Sequence, residues 1–225
     1  MILRRFTPDF RLDCPTVAHR PVFCASAKLP PMREYDLIAD WYPSDRGISV
    51  GVKEALTAVA PLPSGSRVLD VGCGNGFPIT DALVKAGYRV VGFDGSRGML
   101  ARFRLNLPDT PTVCGDSRAC PFVDQAFDAA ISWGMLFHLT PSDQATAFAS
   151  VSRVLKGGAP FLFTAAEIRD VGDNDPGITG TMNGVTFHYY AIPDYRTFID
   201  QYGFELVDVV DDPGVSTYYF ARRKG

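Results

Sequence analysis

The chain has 225 residues, 46% hydrophobic and 21% charged, with a net charge of -3. That suits one domain with a full core and contains no apolar run of the ~18 residues a membrane-spanning helix needs. It also argues against nucleic acid as the partner, because neutralising phosphates calls for a basic face. The five cysteines are Cys14, Cys24, Cys73, Cys114 and Cys120. Their number is odd, they form no Cys-x-x-Cys pair, and three fall in or beside predicted strands, where a cysteine behaves as a small hydrophobe. The pattern reads as a reduced, cytoplasmic protein with no metal site.

Residues 1–31 carry Pro8, Pro15, Pro21, Pro30 and Pro31, scattered arginines and no sustained periodicity. They lack the continuous apolar core of a secretory signal and read as a disordered extension, with Met32 as an alternative start. Residues 32–225 read as a single domain. Apolar residues at Tyr35, Leu37, Ile38, Trp41 and Tyr42 predict a helix over 33–42. A second helix is predicted from Gly47 to Ala60, ending before Pro61 and Pro63. Buried strands and helices then alternate: strand RVLDVG, helix FPITDALVKAG, strand YRVVGFD, helix SRGMLARFRLN, strands PTVCGD and FDAAISW, helix PSDQATAFASVSRVLKGG, strand APFLFTAAE. Continuous apolar strands between helices mean an α/β fold, a doubly wound Rossmann-like sheet, mostly parallel and covered on both faces. The C-terminal GFELVDVVDDPGVSTYYFARRK reads instead as an antiparallel hairpin about an Asp-Asp-Pro-Gly turn.

The first strand runs into Gly72-Cys73-Gly74-Asn75-Gly76. Glycines there let the backbone approach a ligand that any Cβ would repel. The dinucleotide fingerprint is G-x-G-x-x-G; this turn is G-x-G-x-G and follows Asp70. A carboxylate is a poor neighbour for a pyrophosphate and a good one for an ammonium or sulfonium. Asp94, ending the second strand, is placed to accept from the two hydroxyls of a ribose. Asp116, ending the third beside Ser117, is placed to accept from the exocyclic amine of an adenine.

VLDVGCGNG, VVGFD, GDSRACPF, FDAAISWGMLFHL and LKGGAPFLF occur in one order and spacing, and through them the chain resembles the class I S-adenosylmethionine-dependent methyltransferases. The resemblance runs from Val68 to the C-terminus and is most specific over 68–164. It implies a seven-stranded sheet with a reversed last strand, and S-adenosylmethionine as cofactor. It implies cofactor contacts at Asp70, Gly72, Cys73, Gly74, Asp94, Gly95, Asp116, Ser117 and Trp133, with Met99 near the adenine. It also implies a first helix folding over the cofactor, with Tyr35, Trp41 and Tyr42 closing the site and Arg46 meeting the cofactor's carboxylate.

The family's reacting position follows the fourth strand. Some amine and nucleic-acid methyltransferases carry Asn/Asp-Pro-Pro-Tyr there; this chain has Ser132-Trp133-Gly134-Met135, which argues against methylation of adenine or glutamine nitrogen. His138 reads either as a general base or substrate partner, or as a histidine at a helix end with a backbone partner. The segment 177–195, GITGTMNGVTFHYYAIPDY, reads as part of a substrate-side cap spanning about 170–195. His188, Tyr189 and Tyr190 are candidate lining, and TFHYYAI alternates well enough to be a short strand. The expectation is a methyltransferase acting on a small molecule through nitrogen, oxygen or carbon. The rivals are a nicotinamide-dependent oxidoreductase and a non-catalytic adenosylmethionine-binding protein.

Overall fold

The computed structural model describes residues 33–42, 50–165, 177–212 and 216–225. The extension 1–31, the alternative start at Met32 and Arg46 lie outside them. A seven-stranded sheet has the order β3-β2-β1-β4-β5-β9-β8. Its strands are β1 (Arg67–Val71), β2 (Arg89–Asp94), β3 (Thr112–Cys114), β4 (Ala129–Ser132), β5 (Pro160–Ala165), β8 (Phe204–Asp212) and β9 (Ser216–Arg223). β1 pairs in parallel with both β2 and β4, so the strand order reverses at β1. The C-terminal hairpin inserts β9 antiparallel against β5 and leaves β8 at the edge.

The central strands are buried on both faces, which is why they read as unbroken apolar runs. On one face Val68, Val90, Ile131 and Leu162 pack under α2 (Val52–Val59) and α3 (Ile79–Lys85). On the other, Leu69, Val91, Phe161 and Phe163 pack against Phe148 of α5 (Pro141–Val154) and Ile199 of α6 (Tyr195–Asp200). Local chemistry sets the helix ends. Ser96 caps α4 (Arg97–Asn106), its Oγ accepting from Met99 N at 3.0 Å. Thr140 caps α5 in the same way, accepting from Asp143 N at 3.2 Å, and Pro141 follows as the first helical residue.

Some boundaries differ from the sequence reading. α1 (Arg33–Ile38) stops before a turn through Trp41 rather than reaching Tyr42. α2 starts at Val52, because Gly51 is left-handed with φ 76° and lies against the Trp133 indole. The cap segment holds two strands, β6 (Gly177–Met182) and β7 (Val185–Tyr190). They turn at Asn183-Gly184, both left-handed at φ 47° and 77°. Asn-Gly is the strongest short hairpin signal a sequence offers, and it stands in plain view at these positions.

Gly92 shows why β2 needs a small residue in mid-strand. A Cβ there would lie 2.9 Å from Cys73 Sγ and 3.0 Å from the Phe103 ring, so the glycine lets α4 and the first turn close on the strand. Gly92→Ala is expected to cost roughly 1–3 kcal/mol by overpacking, read as a lowered urea midpoint at unchanged slope.

Candidate functional site

The site is built at the carboxyl ends of β1, β2 and β4. Asp70 sits one residue from the end of β1 and is 2% exposed. Thr80, near the start of α3, donates to its carboxylate at 2.5 Å. Burial pushes Asp70 from its ordinary 3.8 up to about 7; the Thr80 hydroxyl opposes that rise and the Asp94 charge adds to it. The structure therefore holds a buried acid that a cationic ligand would drive into its ionised form.

The three glycines of the turn do different work. Gly72, Gly74 and Gly76 all have positive φ, at 78°, 53° and 89°. A Cβ on Gly72 would lie 2.5 Å from Met135 Cβ, and one on Gly76 would lie 2.8 Å from Leu107. Those two serve packing. A Cβ on Gly74 would meet nothing within 4 Å, and neither would one on Gly134, just past β4, at φ 73°. These two backbones face open space, which leaves room for a ligand to lie close against them. Thr164 of β5 fixes one wall, its Oγ1 accepting from Gly134 N at 2.7 Å. Asn75 fixes the other, its side-chain oxygen accepting from Phe77 N at 3.1 Å.

Asp94 ties the strand tips together. Its carboxylate accepts from Gly74 N at 2.8 Å and Ser96 N at 2.7 Å. Burial raises its pKa, the two N–H groups oppose that, and Asp36 adds to it. A carboxylate holding two N–H donors retains lone pairs for further donors such as ribose hydroxyls. Asp36 itself accepts from Ser96 Oγ at 2.6 Å and Gly98 N at 2.8 Å. With the Asp40–Arg102 pair at 2.5 Å, this lays α1 across the start of α4. Thr80, Thr164 and Asp36 were not legible as site residues, because their partners are fixed by tertiary packing.

The remaining expected residues divide. Asp116 has a charged partner within its own turn. Both its oxygens are taken by the Arg118 guanidinium, at 2.9 and 2.6 Å, and one also by Arg118 N at 2.9 Å. Arg118 bridges on to Asp143 at 3.0 Å, so the carboxylate expected to meet an adenine amine already has a charged partner, and Ser117 opens the short 3₁₀ turn beside it. Met99 is 1% exposed and packs with Ile38, Ala39 and Phe187, beneath α1. Cys73 is buried under the turn with its thiol pushed up in pKa, chiefly by burial. Gly95 follows Asp94, and its carbonyl lies 3.9 Å from Cys114 Sγ. Trp133 packs towards α2, with its Nε1 buried and lacking a hydrogen-bond partner among the described residues.

Over the β4 end lies an aromatic lid. α1 supplies Tyr35 and Tyr42, with ring centroids 6.0 Å apart. β7 supplies Phe187, 4.9 Å from Tyr35, and Tyr189, 4.8 Å from His138. His138 lies in the middle, half-buried, at the end of the 3₁₀ turn Leu136–His138. Its Nδ1 lies 2.9 Å from the His188 carbonyl and its Nε2 lies 2.9 Å from the Tyr35 hydroxyl. Burial lowers its pKa to about 4, so the ring is neutral at ordinary pH. The His188 and Tyr190 side chains stack on one another, at 6.3 Å, on the other face of β7 from Phe187 and Tyr189. β7 thus turns Phe187 and Tyr189 into the lid, and the contact His188 makes with His138 is through its backbone.

Asp70 generates a pH-dependent prediction. Its folded-state pKa is raised, so its contribution to stability is greatest below about pH 4 and is lost as pH rises towards 7. Asp70→Asn is expected to stabilise the ligand-free protein at pH 8 by on the order of 1–3 kcal/mol, and hardly at all at pH 4. Thermal melts at the two pH values check this.

Residues 68–158 match the profile of a family described as methyltransferase domain. An uncharacterised methyltransferase of Synechocystis is 36% identical over 104 residues, covering 46% of this chain and 47% of that protein. A demethylmenaquinone methyltransferase of Renibacterium salmoninarum is 39% identical over 106 residues, covering 47% of this chain and 43% of that protein. The chain thus spans less than half the length of these curated relatives. Among solved structures, the CcbJ methyltransferase of Streptomyces caelestis superposes with a TM-score of 0.68 at 16% identity, covering 84% of this chain and 96% of that one. Residues 68–158 are thus similar to a methyltransferase domain, and the sheet order and superposition show a fold shared with methyltransferases.

Proposed function

We propose that this chain transfers a methyl group from S-adenosylmethionine to a small-molecule acceptor, through nitrogen, oxygen or carbon, in the cytoplasm. The observation that carries the reading is the left-handed Gly74 backbone with open space over it, its N–H bonded to Asp94, in the turn that follows the buried Asp70. Bound adenosylmethionine supplies a methyl already activated on a sulfonium, with a neutral thioether as leaving group. The protein's part is then mainly alignment, which alone is worth several kcal/mol. Asp70 answers the cationic end, Asp94 answers the ribose, and Gly134 lets the ligand lie against the backbone. Gly95, Ser117, Trp133 and Arg46 complete the cofactor side. Tyr35, Tyr42, His188 and Tyr190 are assigned to the acceptor side, the last two from the outer face of the hairpin. The domain boundaries 32–225, with the cap about 170–195, belong to the same reading.

Two supports bear on substrate class. The Renibacterium relative's printed name gives a small-molecule acceptor. The net charge of -3 leaves no excess of cations for a nucleic-acid backbone. Among the described residues no helix is long and apolar enough to cross a membrane. The oxidoreductase rival fares worse on electrostatics, because a pyrophosphate against the Gly74 turn would lie close to Asp70 and Asp94.

Calorimetry checks the cofactor: adenosylmethionine is expected to bind and NAD is not. Asp94→Ala is expected to weaken that binding by about 1–3 kcal/mol, because hydroxyls lose a charged acceptor. Methyl-tritiated adenosylmethionine, incubated with fractions of a cell extract, tests the acceptor. Label in the small-molecule fraction is the expected outcome; label in protein or RNA would overturn the small-molecule reading and leave the cofactor site standing.

A further inference from the structure

Hydrogen-bond direction around His138 fixes the polarity of the lid. A backbone carbonyl only accepts, so the 2.9 Å contact with the His188 oxygen puts a proton on Nδ1. A neutral ring then has a bare Nε2, and the Tyr35 hydroxyl, 2.9 Å away, must donate to it. With its own proton committed to His138, the Tyr35 oxygen can act on any ligand only as an acceptor. The three parts come from three elements: α1, the 3₁₀ turn after β4, and β7. They meet where the chain leaves the β4 end, beside the Gly134 cradle.

We infer that Tyr35 is a catalytic residue that accepts a proton from the methyl acceptor, and that His138 is its positioning residue and proton sink. The inference rests on the methyl-transfer reading and narrows its substrate class to acceptors whose nucleophilic atom carries an O–H or N–H. The bookkeeping is closed. The bond from sulfur to methyl breaks with its electron pair staying on sulfur, and the acceptor atom forms the new bond to carbon. The acceptor's proton passes to the Tyr35 oxygen as the Tyr35 proton passes to His138 Nε2. The sulfonium charge is lost as the imidazolium charge appears, so the enclosed site keeps the same net charge. That matters because burial penalises the charged form of His138. The titratable groups facing His138 are Tyr35 and Glu34 from α1 and Tyr189 from β7. Among the described residues none of these supplies a full positive charge that would oppose proton uptake by repulsion.

The test uses the whole chain with Tyr35→Phe and His138→Asn. In the second variant the amide N–H can keep the bond to the His188 carbonyl while the acceptor for Tyr35 is lost. Calorimetry with adenosylmethionine is run on all three proteins, and transfer of tritiated methyl is measured with the small-molecule fraction of a cell extract. Both variants are expected to bind adenosylmethionine within about threefold of wild type. Tyr35→Phe is expected to lower the transfer rate about 100-fold or more. His138→Asn is expected to make the rate climb with pH towards the phenol's own pKa near ~10, where wild type is flat. A merely structural role would lower the rate equally at all pH values, and that overturns the inference, as does transfer by Tyr35→Phe at the wild-type rate. Absence of adenosylmethionine binding or of label transfer by wild type would instead sink the methyl-transfer reading itself. Nitrogen-15 spectra give a readout independent of turnover, with His138→Asn supplying the assignment among His19, His138 and His188. His138 is expected to hold its proton on Nδ1 from about pH 5 to 9; a proton on Nε2 would overturn the relay.

Discussion

The parallel pairing of β1 with both β2 and β4 is the constraint from which the site follows. Strand order reverses there, so the loops leaving β1 and β4 run to opposite sides and leave a crevice between them. Each loop crosses that crevice with a left-handed glycine whose surroundings are open, Gly74 on one side and Gly134 on the other. The two hydrogen bonds from Gly74 and Ser96 to Asp94 then lock the crevice rim, since one carboxylate joins the turn after β1 to the start of α4. Asp36 extends the same polar thread to α1. Cofactor cradle and lid are therefore not separate devices. They share Ser96, which donates from its backbone to Asp94 and from its hydroxyl to Asp36.

This arrangement sets stability against binding. Burial raises the cost of ionising both Asp70 and Asp94, and a like charge adds to each, Asp94 on Asp70 and Asp36 on Asp94. A core chosen for stability alone would hold neither acid at the strand ends. Their presence makes sense when a cation and a set of hydroxyls arrive to meet them, which is the tension expected where a fold departs from its most stable form for function. Gly92 and Gly51 belong to the same logic: one lets Cys73 and Phe103 close on β2, and the other gives room to the Trp133 indole.

The sheet and its glycine turn were legible because their signals are local. Unbroken apolar strands, a glycine at alternate positions and an acid at a strand tip need no knowledge of what lies opposite. The reversed C-terminal hairpin was legible for the same reason. The pairing of Asp116 was not legible, because Arg118 lies only two residues on and folds back across the turn; an acid at a strand tip reads the same with or without such a neighbour. The alternation of TFHYYAI was legible, but its pleat was not. Alternation in a strand says which residues share a face, and says nothing of which face meets the site until a neighbour such as Tyr35 or Met99 is in place.

That pleat decides what the lid can do. With Phe187 and Tyr189 turned inward, the polar atoms reaching His138 are a backbone carbonyl and the Tyr35 hydroxyl, both within a largely aromatic enclosure. Had His188 faced inward instead, a second imidazole would have lain beside the first and the two could have exchanged a proton. An accept-only carbonyl removes that freedom and leaves one tautomer. Gln144 holds the end of the same strand from α5, donating to the Tyr190 carbonyl at 3.2 Å while accepting from the Tyr195 hydroxyl at 2.8 Å. The hairpin is thus held through its main chain at two carbonyls two residues apart. Its side chains can vary with the acceptor while the direction of the His138 hydrogen bonds stays fixed.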